Sequence, residues 1–240
     1  MIVQACLNGT RESSYHPRLP LTAQAIARDA AECVLQGAAE LHIHPRADDG
    51  RESLAVVSDT VLSVRRACPG TLVGVSTGDW IEADAKGTRD RIAAWKTLPD
   101  YASVNLSEPD APAVMALLHQ RGIGVEAGLA NAADADRFIA QPDSHRVFRI
   151  LIEIPDQNIE KADAVTDEIA AILDRADINR PILLHGFDAT VWHFVRRAYR
   201  ERWSTRVGLE DGRELPDGKT AASNAEIVAC AVRIFRAHLH

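Results

Sequence analysis

Short apolar runs alternate along the chain with longer amphipathic ones, and this alternation predicts the fold. Runs at 2–7, 40–44, 71–76, 102–105, 123–126, 146–153, 181–185 and 206–210 are β-branched or Leu-rich and mostly apolar on both faces. Such runs read as parallel strands covered on both sides. Helical spacing between them predicts helices near 21–36, 54–67, 83–97, 110–120, 132–140, 158–175, 188–201 and 222–238. The first shows the pattern well: Ala23, Ile26, Ala27, Ala30, Ala31 and Val34 form one stripe, with Thr22 as N-cap and Gly37 as stop. Ser223 or Asn224 begins the last helix, whose stripe uses Ile227, Val228, Ala231 and Ile234. Strand and helix alternating eight times predict a closed (β/α)₈ TIM barrel forming a single catalytic domain over 1–240. The rival is a doubly wound open sheet, whose strands look alike in sequence.

In a barrel, chemistry sits at the C-terminal ends of the strands. In order, those ends offer Asn8, His42 and His44, Ser76 and Thr77, Ser103 and Asn105, Glu126, Glu153, His185, then Glu210 and Asp211. His42-Ile43-His44 is the sharpest signal, because alternation on a strand turns both imidazoles to one face. Two such imidazoles make half of a zinc or similar site, or else a pair of hydrogen-bonded core histidines. Closure would bring the last strand beside the first, so Glu210 can complete a His₂Glu set with an open position; a solvated Glu-Asp pair is the plainer alternative. Arg206 lies on the same side as Glu210 by parity, and Asp211 begins the loop over the mouth. Glu126 reads as a supporting partner, a proton carrier or a salt-bridged mouth residue.

Charge and composition narrow the function classes. A formal charge of −7 argues against a general nucleic-acid binder. No apolar run reaches the roughly 18 residues of a membrane span, and Met1-Ile2-Val3-Gln4-Ala5-Cys6-Leu7 lacks signal-peptide character. Four scattered cysteines without a CxxC pair suit a reducing cytoplasm. Gly74-Val75-Ser76-Thr77-Gly78 imitates the GxSxG elbow of serine hydrolases, with His185 as a possible triad partner. Asp79-Trp80-Ile81-Glu82 follows it before any helical pattern, however, and an elbow leads directly into a helix. Gly122-Ile123-Gly124 precedes a strand, the wrong order for a dinucleotide fingerprint. Arg196, Arg197, Arg200 and Arg202 read as a solvated helix face.

The residues Asn8-Gly9, 17–22, Gly37 to His44 with Arg46 and Asp49-Gly50, Ser76-Thr77-Gly78, Arg206-Val207-Gly208-Leu209-Glu210-Asp211 and Ser223 to Glu226 together resemble the β-keto acid cleavage enzymes. The prototype of that family is 3-keto-5-aminohexanoate cleavage enzyme. The resemblance spans nearly the whole chain. It implies a (β/α)₈ barrel with a divalent metal, usually Zn²⁺, in a homo-oligomer, commonly a tetramer. It also implies condensation of a β-keto acid with acetyl-CoA, giving acetoacetate and a new CoA thioester by a retro-Claisen route. On this resemblance His42, His44 and Glu210 hold the metal, Asp211 is the base assisted by Arg206, and Ser76 and Ser103 contact substrate, beside Thr77 and Asn105. Glu126 matches an acidic position on the family's fifth strand. Leu184-His185-Gly186-Phe187 stands where the family has a Gly-rich turn, and Arg11 stands near an acidic, amine-binding position of some members. The alternatives are a metal-dependent aldolase or lyase without CoA, a serine hydrolase, and a binding barrel that keeps a metal for structure.

Overall fold

The computed structural model describes residues 1–236. Its strands are β1 (Val3–Cys6), β2 (Glu40–Ile43), β3 (Leu72–Ser76), β4 (Tyr101–Asn105), β5 (Gly124–Leu129), β6 (Arg149–Ile154), β7 (Ile182–Gly186) and β8 (Ser204–Val207). Each is followed by a helix: α1 (Ala23–Leu35), α2 (Val57–Ala67), α3 (Ala85–Ala94), α4 (Ala111–Gln120), α5 (Ala132–Ile139), α6 (Ile159–Arg175), α7 (Val191–Arg200) and α8 (Asn224–Arg236). All neighbouring strands pair in parallel and the sheet closes, β8 onto β1, into the predicted (β/α)₈ barrel.

Local chemistry accounts for the boundaries. Thr22 Oγ1 accepts from the Ala25 amide and starts α1, while Gly37, at φ 104°, turns the chain out of it. Asp84, Asn131 and Asn158 cap α3, α5 and α6 in the same way. Three expected strands shift, the fifth, sixth and eighth. Residues 144–146 form a short 3₁₀ turn, so β6 begins at Arg149. The last strand ends at Val207, where the chain enters a turn closed by the Asp211 and Gly212 amides on the Gly208 carbonyl; Gly208 passes the Cys6 carbonyl so closely that any Cβ would collide with it. The expectation for the last helix reached 238; its final two residues lie outside the described residues.

Glu126 requires a correction. The small residues Ala127 and Gly128 make the fifth strand look finished at Glu126, but backbone pairing with β6 carries it on to Leu129. Glu126 is therefore a fully buried residue of the barrel floor, away from the mouth. Its Oε1 accepts from Arg149 Nε at 2.6 Å and from Gln4 Nε2 at 3.2 Å. Arg149 also pairs with Glu40 and lies against the rings of Tyr101 and Phe148. Buried charges survive only when paired in this manner.

A polar knot ties β1, β8, α1 and α8 together. Asn224 Oδ1 accepts from the Leu209 amide at 2.6 Å, and its Nδ2 donates to Leu7 O at 2.8 Å and Asp29 Oδ2 at 2.6 Å. Burial pushes the Asp29 carboxyl up to about 6, against the lowering effect of the Asn224 donor. The folded chain thus holds a proton that the unfolded chain releases near pH 4. Asp29's contribution to stability is complete below that pH and is lost as pH rises through about 6. The difference in unfolding free energy between wild type and Asp29→Asn should change by about 3 kcal/mol over this interval. Urea titrations at a series of pH values measure it, and a constant difference would contradict the assignment.

No helix among the described residues is long and apolar enough to cross a membrane.

Candidate active site

β2 carries His42 within the strand and His44 just beyond it, both buried in the barrel mouth, while Ile43 turns outward into the core around the helices. Asn8, following β1, fastens His44 by its backbone: Oδ1 accepts from the His44 amide at 3.0 Å and Nδ2 donates to its carbonyl at 2.8 Å. Glu52 Oε2 lies 2.7 Å from His44 Nδ1, which leaves Nε2 facing the cavity.

Glu210 and Asp211 arrive from the other end of the chain, in a turn immediately after β8. The amides of Asp211 and Gly212 both donate to Gly208 O. This turn ends the alternation of a strand, so two adjacent carboxylates reach the same guanidinium. Arg206 Nη2 lies 2.6 Å from Glu210 Oε1 and 2.9 Å from Asp211 Oδ1. Gly9, at φ 52°, lies beneath Glu210, where a Cβ would overlap its side chain. Arg11 binds the Glu210 carbonyl through Nε at 3.0 Å and Asp188 through Nη2, joining the first and seventh mouth loops over the turn.

The three expected ligands converge. His42 Nε2 and His44 Nε2 are 3.2 Å apart, and Glu210 Oε1 lies 3.4 Å from His44 Nε2 and 4.0 Å from His42 Nε2. Donors about 2.1 Å from a tetrahedral zinc stand about 3.4 Å from one another, so the set fits a divalent transition metal. Glu210 Oε2 and His42 Nδ1 are buried without a hydrogen-bond partner. Without a cation the charges settle unevenly. Burial lowers His42 to about 3, whereas His44 rises to about 9 because Glu210 and Glu52 outweigh its burial. Burial raises Glu210, but Arg206 and the two histidines bring it well below the usual carboxylate range. A metal held by the three donors would displace any proton they share.

These residues line a cavity of about 440 Å³. Ser76, Ser103 and Asn105 form its polar floor, Leu151 and Phe187 its apolar wall, and Arg11, Glu12 and Trp80 its rim. A neighbouring cavity of about 870 Å³ shares Glu12 and Trp80.

The sequence profile of the beta-keto acid cleavage enzymes matches residues 1–238. The chain belongs to that family. Two 3-keto-5-aminohexanoate cleavage enzymes, from Acetoanaerobium sticklandii and Fusobacterium nucleatum subsp. nucleatum, are 32% and 31% identical to it over 81 residues. The aligned segment covers 32% of this chain and 30% of each relative. A ternary complex of ObcA with C4-CoA adduct and oxalate superposes with a TM-score of 0.72 at 18% identity, covering 92% of this chain and 64% of that one. The chain thus spans less than two thirds of ObcA, and identity this low shows a shared fold.

In this β-keto acid cleavage family barrel, the other sequence-predicted residues separate into two groups. Ser76, Ser103, Asn105 and Arg206 face the cavity beside the metal-ligand set. Thr77 braces two strands, its hydroxyl donating to the Ser103 carbonyl at 2.7 Å, and is absent from the cavity wall. Glu126 belongs to the floor network described above. The GxSxG imitation has no elbow geometry, since residues 77–84 separate Ser76 from α3. The arginines of α7 are partly engaged: Arg197 pairs with Asp163 and Asp167, and Asp163 also meets His193. Two residues outside the expected ligand, base and substrate-contact set also stand at the site. Glu52 orients His44, and His185 lies with its Nδ1 3.3 Å from Asp211 Oδ1. Glu52 sits in a loop with no local pattern to mark it. His185 was visible as a polar strand end, but nothing in the sequence specified its partner.

Proposed function

We propose that this chain is a metal-dependent β-keto acid cleavage enzyme, condensing a β-keto acid with acetyl-CoA to give acetoacetate and a new acyl-CoA. The observation that carries this reading is the convergence of His42, His44 and Glu210 on one cavity, where Arg206 links Glu210 to Asp211, buried just behind the wall. A divalent transition metal held by those three donors, most simply Zn²⁺, supplies Lewis-acid polarisation of the substrate's keto oxygen.

The protein's own groups do the rest. Ser76, Ser103 and Asn105 donate hydrogen bonds that orient the keto acid on the cavity floor. Asp211 Oδ2, buried and without a partner, accepts the proton from the carbon between ketone and carboxylate. Arg206 pairs with both Asp211 and Glu210. The enolate attacks the acetyl thioester carbonyl, and the CoA thiolate leaves. That thiolate then attacks the original keto carbon, and the carbon–carbon bond breaks toward acetoacetate, which regains its proton from Asp211. The adjoining cavity, sharing Glu12 and Trp80, offers room for the second substrate.

We read the whole chain as one catalytic domain working in the cytoplasm as a homo-oligomer, with a tetramer as the family's common form. Elemental analysis together with a panel of β-keto acids and acetyl-CoA, monitored for acetoacetate and acyl-CoA, tests the reading. Bound metal with thioester product supports it. Cleavage without thioester formation would make the protein an aldolase or lyase instead, and metal without turnover on any substrate would leave a binding barrel.

A further inference from the structure

We propose that His185, on β7, is a positioning residue for Asp211, fixing which of the two carboxylate oxygens is presented to the substrate. The inference rests on the reading of Asp211 as the base. It begins from the unequal surroundings of the two oxygens. Oδ1 lies 2.9 Å from Arg206 Nη2 and 3.3 Å from His185 Nδ1, whereas Oδ2 is buried with no hydrogen-bond partner. Asp211 and His185 are both almost completely buried.

Arg206 alone holds Asp211 poorly. Its Nη2 is divided between two acceptors, with Glu210 Oε1 nearer at 2.6 Å than Asp211 Oδ1. Drawn toward Glu210, the guanidinium leaves the Asp211 carboxylate free to rotate about its Cβ–Cγ bond, which would exchange the free oxygen with the bound one. A second donor approaching from a different strand removes that freedom. His185 approaches from β7 while Arg206 approaches from β8.

The imidazole is itself held. Its ring meets the Phe187 ring edge-on at a centroid distance of 4.9 Å, and its Nε2 lies 3.7 Å from Glu153 Oε2 on β6. The backbone of the same loop is tied to the same residue, with the Asp188 amide donating to the Asp211 carbonyl at 2.7 Å. At 3.3 Å the Nδ1 contact is within ion-pair reach but not aligned as a hydrogen bond. Contacts of this kind tighten in a substrate complex. An Nδ1–H tautomer is required, and the facing carboxylate selects it.

The predicted signature is atom-specific. In His185→Asn the amide nitrogen sits near the place of Nδ1 and keeps a donor toward Asp211. In His185→Gln it sits near the place of Nε2 and keeps only the reach toward Glu153. His185→Leu removes both. On the best β-keto acid of the panel, with acetyl-CoA, kcat of His185→Leu and His185→Gln should fall about 100-fold, with KM within threefold of wild type. His185→Asn should recover at least tenfold of that loss. Metal content and melting temperature, measured on all three, should stay near wild type. Full kcat in His185→Leu, equal loss in all three variants, rescue by Gln instead of Asn, or loss of metal along with activity would each overturn the proposal. A wild-type enzyme with no turnover on any β-keto acid would remove the functional reading, and this inference with it. Wild-type turnover with an unimpaired His185→Leu would remove only the inference.

Discussion

Replacing His44 with alanine is expected to strip the barrel mouth of bound metal and lower kcat/KM on β-keto acids by three orders of magnitude or more. That loss corresponds to about 4 kcal/mol of transition-state stabilisation. The magnitude follows from position. His44 is the central donor of the set, within 3.4 Å of both the His42 nitrogen and the Glu210 oxygen. Its removal leaves an imidazole and a carboxylate 4.0 Å apart, too few donors to hold a divalent ion against water. The substitution has a second consequence, because Glu52 loses the partner of its buried carboxylate. An unpaired buried acceptor costs about 1–3 kcal/mol, so His44→Ala should also melt earlier. Adding Glu52→Gln should return much of the stability without returning metal or turnover. This separates loss of the site from loss of the fold. Retained turnover in metal-free His44→Ala protein would refute the metal-dependent mechanism.

The second large effect is expected from Asp211→Asn. The substitution keeps shape and volume at a fully buried position, and Arg206 remains paired with Glu210. The three ligand atoms are untouched, so metal content should equal that of wild type. An amide cannot accept the substrate proton, and kcat should fall by about 10²–10⁴-fold, the range of general-base contributions. Measuring zinc per chain and kcat on the same preparation checks both halves. Wild-type kcat in Asp211→Asn would exclude Asp211 as the base, and lost metal would mean that this carboxylate helps to hold the ion.

The two variants divide the mouth into functions that adjacency in sequence obscures. Glu210 and Asp211 are neighbours in the chain, yet one faces the two imidazoles and the other faces His185. The turn after Val207 makes this division possible. Read as a strand through 210, the segment would send the two carboxylates to opposite sides. The turn closed on the Gly208 carbonyl ends the strand early and brings both to Arg206.

Glu126 is the complementary case. Residue type and strand alternation placed a carboxylate inside the barrel, which is where it lies. Its depth depended on where the strand stopped, and pairing with β6 decided that. A shift of three residues along a strand is about 10 Å, enough to move a group from the mouth to the floor. Thr77 shows the same limit over a shorter distance, because its hydroxyl is engaged by the neighbouring strand's carbonyl.

Sequence by itself determined the periodic features of this protein. Eight alternations of apolar strand and amphipathic helix specify the barrel, and two histidines spaced by one residue specify a shared face, because both follow from backbone periods of 2 and 3.6 residues. Tertiary structure alone decided the meetings between distant segments. Closure of β8 onto β1 brings Glu210 to His42 and His44, Glu52 reaches back to orient an imidazole, and His185 comes to lie against Asp211. Such contacts depend on where each strand ends and how each loop turns, and these are set by pairing and packing with chain far away in sequence.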